Sequence, residues 1–79
     1  MATPEEHRKE EKEAIERERI AFERRQKSLF AVMRQFYPAG NGVPTRESLN
    51  EAEGAEREWQ DARAVMDRIS AEIRSGKRR

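Results

Sequence analysis

No cysteine occurs in the chain, which excludes disulfides and thiolate metal ligands without fixing a compartment. Histidine occurs once, as His7 between Glu6 and the pair Glu10 and Glu11. Metal binding needs several convergent ligands, so neither a metal nor another cofactor is expected. Apolar residues are scarce: 34% of the sequence is hydrophobic against 42% charged, a balance that fits long amphipathic helices better than a single globular core. No run approaches the roughly 18 apolar residues of a membrane span. The opening stretch MATPEEHRKEEKE lacks the apolar segment of a secretory signal, so a cytoplasmic protein with no membrane partner is expected. Net charge is also nearly absent. Seventeen basic residues against sixteen acidic ones leave +1, which gives no overall field to draw the chain to nucleic acid or anionic lipid.

The elements of catalysis are missing too. There is no P-loop, no G-x-G-x-x-G and no nucleophile–base arrangement. Neighbouring carboxylates such as Glu13 with Glu16 or Glu53 with Glu56 have basic residues beside them and no predicted pocket to raise a pKa. An enzyme is therefore not expected, and no small-molecule substrate.

Helix breakers are few and concentrated. Of the three prolines and four glycines, Pro38, Gly40, Gly42 and Pro44 fall in one segment, PAGNGVP. Thr3 and Pro4 form an N-cap and first-position pair, so helix 1 is expected over about 4–37, followed by a loop at 38–44. Helix 2 is expected over about 45–75, opened by Thr45 or by Ser48, which has capping-box spacing to Glu51, and stopped by Gly76. Residues 76–79 would form a basic tail. Each helix would have just over thirty residues and span roughly 45 to 50 Å at ~1.5 Å per residue. The expected fold is all-α: one antiparallel, coiled-coil-like two-helix hairpin spanning residues 1–79.

The strongest pattern lies in helix 2. Ala52, Ala55, Trp59, Ala62, Met66, Ile69 and Ile73 follow one another at alternating intervals of 3 and 4, the seam of a helix that packs on another helix. In helix 1 the large apolar residues Ile15, Phe22, Leu29, Met33 and Phe36 align. Facing the two stripes across a hairpin pairs residues whose numbers sum to about 85, and sets bulk against small: Phe22 on Ala62, Leu29 and Phe30 on Ala55, Met33 and Phe36 on Ala52 and Leu49, Trp59 on Gln26. Charge agrees with the antiparallel sense. Residues 5–16 carry −3 and 17–34 carry +4, while 46–67 carry −4 and 68–79 carry +4. The same pairing could arise within one chain or in a swapped antiparallel dimer.

Two helices leave much of their flanks wet, so self-association into a four-helix bundle is expected. Apolar residues off the main stripes mark a candidate dimer or partner surface: Ile20, Phe30, Val32 and Val65, with Ala14 and Ala21 a quarter-turn from the helix 1 seam. Arg24, Arg25, Arg74, Lys77, Arg78 and Arg79 are the candidate nucleic-acid contacts, although no recognition-helix fold, ribbon or zinc knuckle accompanies them. The layout resembles small bacterial helical hairpins, among them the repressor-of-primer type bundle and the two-helix chaperones of secretion systems. That resemblance is architectural and carries no residue motif. The sequence thus points to a non-enzymatic adaptor, chaperone-like or regulatory protein that binds a helix of its own copy or of another protein. A small nucleic-acid-associated regulator is the alternative.

Overall fold

A computed structural model describes residues 2–36 and 42–78 of the chain. Two helices make up its regular structure, α1 (Pro4–Arg34) and α2 (Arg46–Arg74), packed antiparallel as an all-α hairpin. Tyr37, loop residues 38–41 and Arg79 lie outside the described residues.

The helix ends follow from local chemistry. Thr3 is extended and its hydroxyl accepts the Glu6 N–H at 3.2 Å, with Pro4 in the first turn where no donor is needed. α1 ends at Arg34, three residues short of the expected end, with Gln35 as its C-cap three residues before Pro38. There the Gln35 and Phe36 N–H groups donate to the Val32 and Met33 carbonyls in tighter i→i−3 bonds. α2 opens on Thr45, whose hydroxyl accepts the Ser48 N–H at 3.1 Å. Ser48 therefore sits inside the first turn, and the capping box from Ser48 to Glu51 is not the start. At the far end Gly76 adopts φ +80°, the left-handed conformation that a side chain disfavours. Its N–H donates to the Ile73 carbonyl and the Lys77 N–H to the Glu72 carbonyl, so α2 ends in a Schellman motif.

The hairpin is a rod of 55 × 17 × 16 Å with a radius of gyration of 17.4 Å, where a compact chain of this length would have about 12 Å. Apart from Ile69, its packed line is made of small residues. From α1 come Ala14, Ala21 and Ser28, and from α2 Ala55, Ala62 and Ile69, each set repeating every seven residues. Among the described residues, no large side chain is fully buried. Among the described residues, no buried side-chain nitrogen or oxygen lacks a hydrogen-bond partner.

This arrangement corrects the expected face of α1. Ile15, Phe22, Met33 and Phe36 are not buried against α2; all four are exposed, from 40% at Phe22 to 62% at Phe36, and Leu29 is half-buried. The α1 line that does meet α2 is the one expected to be secondary, Ala14 and Ala21 with half-buried Val32. The reason is geometric. A single neighbour cannot enclose a row of large apolar side chains, whereas alanine and serine let two backbones approach closely and leave room for long side chains to reach across on both edges. On α2, Ala55 and Ala62 are buried, Ala52, Trp59 and Met66 are half-buried, and Ile73, in the last turn, is exposed.

Candidate interaction surface

Because the seam is narrow, its two edges are chemically distinct. One edge is laced by ion pairs. Arg24 of α1 reaches Glu51 of α2 at 3.0 Å and also pairs with Glu58, and Arg68 of α2 reaches Glu10 of α1 at 3.4 Å. Hydrogen bonds to Glu58 and Glu51 push the Arg24 guanidinium above its usual pKa. Ile20 lies on this edge beside Glu13, Glu16, Arg17, Ala21 and Glu58. Phe30 and Ala31 flank a shallow hollow with Gln26, Lys27 and Arg34 farther round α1.

The opposite edge carries the apolar row. Ile15, Phe22, Leu29 and Met33 are spaced 7, 7 and 4 apart, which keeps them along one side of the helix. Leu29 and Val32 meet Leu49 and Ala52 of α2 in a groove of about 650 Å³ rimmed by Glu53, Glu56, Arg57 and Gln60. Val32 is thus a wall of this groove, half-buried between the helices, and not the free outer contact expected. Val65 is half-buried as well.

Between groove and hairpin centre stands Trp59. Its indole N–H donates to the Glu18 carboxylate at 3.1 Å, and the Arg25 guanidinium lies 4.8 Å from its ring centroid while pairing with Glu56. Sequence size-matching put Gln26 opposite Trp59; the structure puts the Arg25 cation over its face, a cation–π arrangement. The hydrogen bond from Arg25 holds the Glu56 carboxyl below the usual carboxylate range.

No family model, curated protein or solved structure matches the chain.

The basic candidates separate under the geometry. Arg24 and Arg25 are taken up by Glu51, Glu58 and Glu56, as described. Arg78 does not stand in a free tail. Beyond Gly76 the chain folds back, and the Arg78 side chain, 5% exposed, pairs with Glu10, with Glu11 at 3.4 Å and with Glu72 at 2.9 Å. Hydrogen bonding to Glu10 raises the Arg78 pKa, and the same bond lowers that of Glu10. These three guanidiniums therefore offer little charge to a phosphate. Arg74 and Lys77 are exposed, and Arg79 lies outside the described residues.

His7 is half-buried at the open end of the hairpin, near Pro4, Glu11, Ile73 and Arg78. Among the described residues, no group of three His, Asp or Glu side chains is placed to hold a metal ion. Likewise, no described helix is long and apolar enough to cross a membrane.

Sequence reasoning missed two features. Gln35 joins the helices at the loop end: its backbone carbonyl accepts the Gly42 N–H at 2.9 Å, its side-chain oxygen accepts the Thr45 N–H at 2.8 Å, and its amide donates to Ser48 Oγ at 2.9 Å. Nothing in its local pattern marks a glutamine for that role. The α1 seam, in contrast, had a signal: Ala14, Ala21 and Ser28 repeat with the same period of seven as Ala55, Ala62 and Ile69.

Proposed function

We propose that this chain is a non-enzymatic, cytoplasmic interaction protein that works by helix–helix packing, in an adaptor, chaperone-like or regulatory role. The observation that carries the reading is the row Ile15, Phe22, Leu29 and Met33, left on the surface after the hairpin has closed on its small residues. A helix laid along the row would find apolar anchors at heptad-like spacing and a polar rim on both sides, the usual anatomy of helix recognition. Nucleic-acid association is the weaker reading, since it would rest on Arg74, Lys77 and Arg79 once Arg24, Arg25 and Arg78 are engaged within the chain.

Site-specific photo-crosslinking in the native cell tests the proposal. A photoreactive residue at Phe22 or Met33 is expected to capture a protein, its own copy or another, whereas one at Lys27, on a different side of α1, is not. Equal capture from both sides, or none from either, would refute it.

A further inference from the structure

We infer that the loop end of the hairpin is a peripheral membrane contact, which sinks Phe30, Met33 and Phe36 into an anionic bilayer surface and sets Lys27 and Arg34 among its headgroups. This contact is separate from the helix-packing role proposed above. The near-zero net charge of the chain hides a strong segregation. From Arg24 to Arg46 the sequence runs for 23 residues without an aspartate or glutamate, and five basic residues fall in that run. All sixteen acidic residues lie outside it, the first after it being Glu47.

The hairpin takes up part of this charge and leaves the rest free. Arg24 and Arg25 are held by Glu51, Glu58 and Glu56, whereas among the described residues Lys27 and Arg34 pair with no carboxylate. Both line the hollow that Gln26, Phe30 and Ala31 complete, and no acidic side chain borders it. Each of the other hollows described above has at least one glutamate on its rim. Apolar bulk accompanies the free cations. Ser28 is buried against α2 and Gln35 is bonded to it, so at 3.6 residues per turn Phe30 and Met33 fall on the outer side of α1 and Phe36 on its flank. All three are more than half exposed. From Phe30 to Phe36 the helix advances about 9 Å at ~1.5 Å per residue, so a tilted hairpin buries the whole stretch within the ~5–10 Å to which an amphipathic surface helix sinks.

Farther along the same line of α1 the chemistry reverses. Glu16, Glu23 and Phe30 follow one another at intervals of seven, and Glu16 and Glu23 both pair with Arg19, a charged cluster that entry into lipid would strip of water. Contact is thereby confined to the loop end, with the open half of the rod lifted clear. Such a contact needs no spanning segment, in keeping with described helices too polar to cross a membrane. Single-stranded nucleic acid matches the same surface less well. Phe30 could stack on a base, but Met33 and Phe36 would stay uncovered, and two free cations make a small phosphate footprint.

The test is flotation of the full chain with vesicles of phosphatidylcholine alone and of phosphatidylcholine mixed with phosphatidylserine. Binding is expected on the mixed vesicles, weakened by high salt. Replacing both cations, as Lys27→Gln with Arg34→Gln, is expected to lower it by roughly fivefold for each. Phe30→Glu should abolish it, while Ile20→Glu, also exposed but set beside Glu13, Glu16 and Glu58, should leave it unchanged. Because the chain lacks cysteine, a label decides the matter even where Phe30→Glu fails to fold: an environment-sensitive fluorophore on Met33→Cys is expected to shift to the blue on mixed vesicles, and one on Arg74→Cys at the open end is not. No binding to either vesicle, equal loss from Phe30→Glu and Ile20→Glu in folded protein, or equal shifts at the two labels would overturn the inference. So would a chain that ignores vesicles and binds a single-stranded oligonucleotide through Phe30, which assigns the surface to nucleic acid instead. Protein capture at Phe22 in cells is read independently of all these outcomes.

Discussion

A methyl group is all that Ala55 and Ala62 present to α1, and at 0% and 1% exposure neither has space beside it. Enlarging either has no outlet except separation of the helices. Ala55→Leu and Ala62→Leu are each expected to lower stability by roughly 1 to 3 kcal/mol through overpacking, while Ala64→Leu, on the exposed side of α2, should be nearly neutral; denaturant unfolding of the three variants checks this. Equal losses at all three would mean that the seam lies elsewhere. The same residues show how far the sequence could be read. The α2 seam was legible because its small and large apolar residues coincide on one stripe. The α1 seam was not, because bulk was taken as the guide to burial. In a unit of only two helices no third layer exists to cover a row of large apolar side chains, so the smallest residues come closest and the largest are displaced to an edge. Charge was the better guide. Opposite charges at both ends required antiparallel pairing, and Arg24 with Glu51, Arg25 with Glu56 and Arg68 with Glu10 realise it.

At the scale of the elements, each end of the hairpin is tied by a different device. The loop end is held by Gln35, which satisfies donors and acceptors of both helices at once. The open end is held by Arg78, aimed back by the left-handed turn at Gly76 toward carboxylates of α1 and α2. The first turns of α1 contribute no large apolar residue, so this ionic clasp is their main tether to α2. Arg78→Ala is therefore expected to speed amide exchange several-fold in residues 7–13, with little change around Arg24 and Arg25. Hydrogen exchange read by mass spectrometry resolves the two regions, and uniform protection in the variant would show that the clasp holds nothing. Helix boundaries were legible from Thr3, Pro4, Thr45 and Gly76. The clasp was not, because nothing in a run of lysine and arginine announces that one member turns inward.

For the whole molecule, ion pairs between partly exposed groups add a modest, pH-dependent contribution to the packing of the seam. Glu10, Glu56 and Glu72 titrate below the usual carboxylate range, held there first by hydrogen bonds from Arg78, Arg25 and Arg68 respectively. A carboxyl whose pKa is lower in the folded state stabilises the fold above its unfolded pKa, about 4.3 for Glu, and loses that contribution as pH falls through the folded value. The melting temperature is thus expected to be flat from pH 8 to about 5 and to fall modestly below about 4.5, with high salt lowering it slightly at neutral pH. A melting temperature independent of pH between 6 and 3 would show that the pairs contribute nothing.

Trp59 gives this chain an optical reporter without any label. It is the only indole in the sequence, it donates to a carboxylate of the other helix and it lies under a guanidinium of that same helix. Parting the helices breaks both relations at once and wets the ring. Its emission is therefore tied to the distance between the two rods at their middle, a coordinate that circular dichroism, which counts helical residues, cannot see.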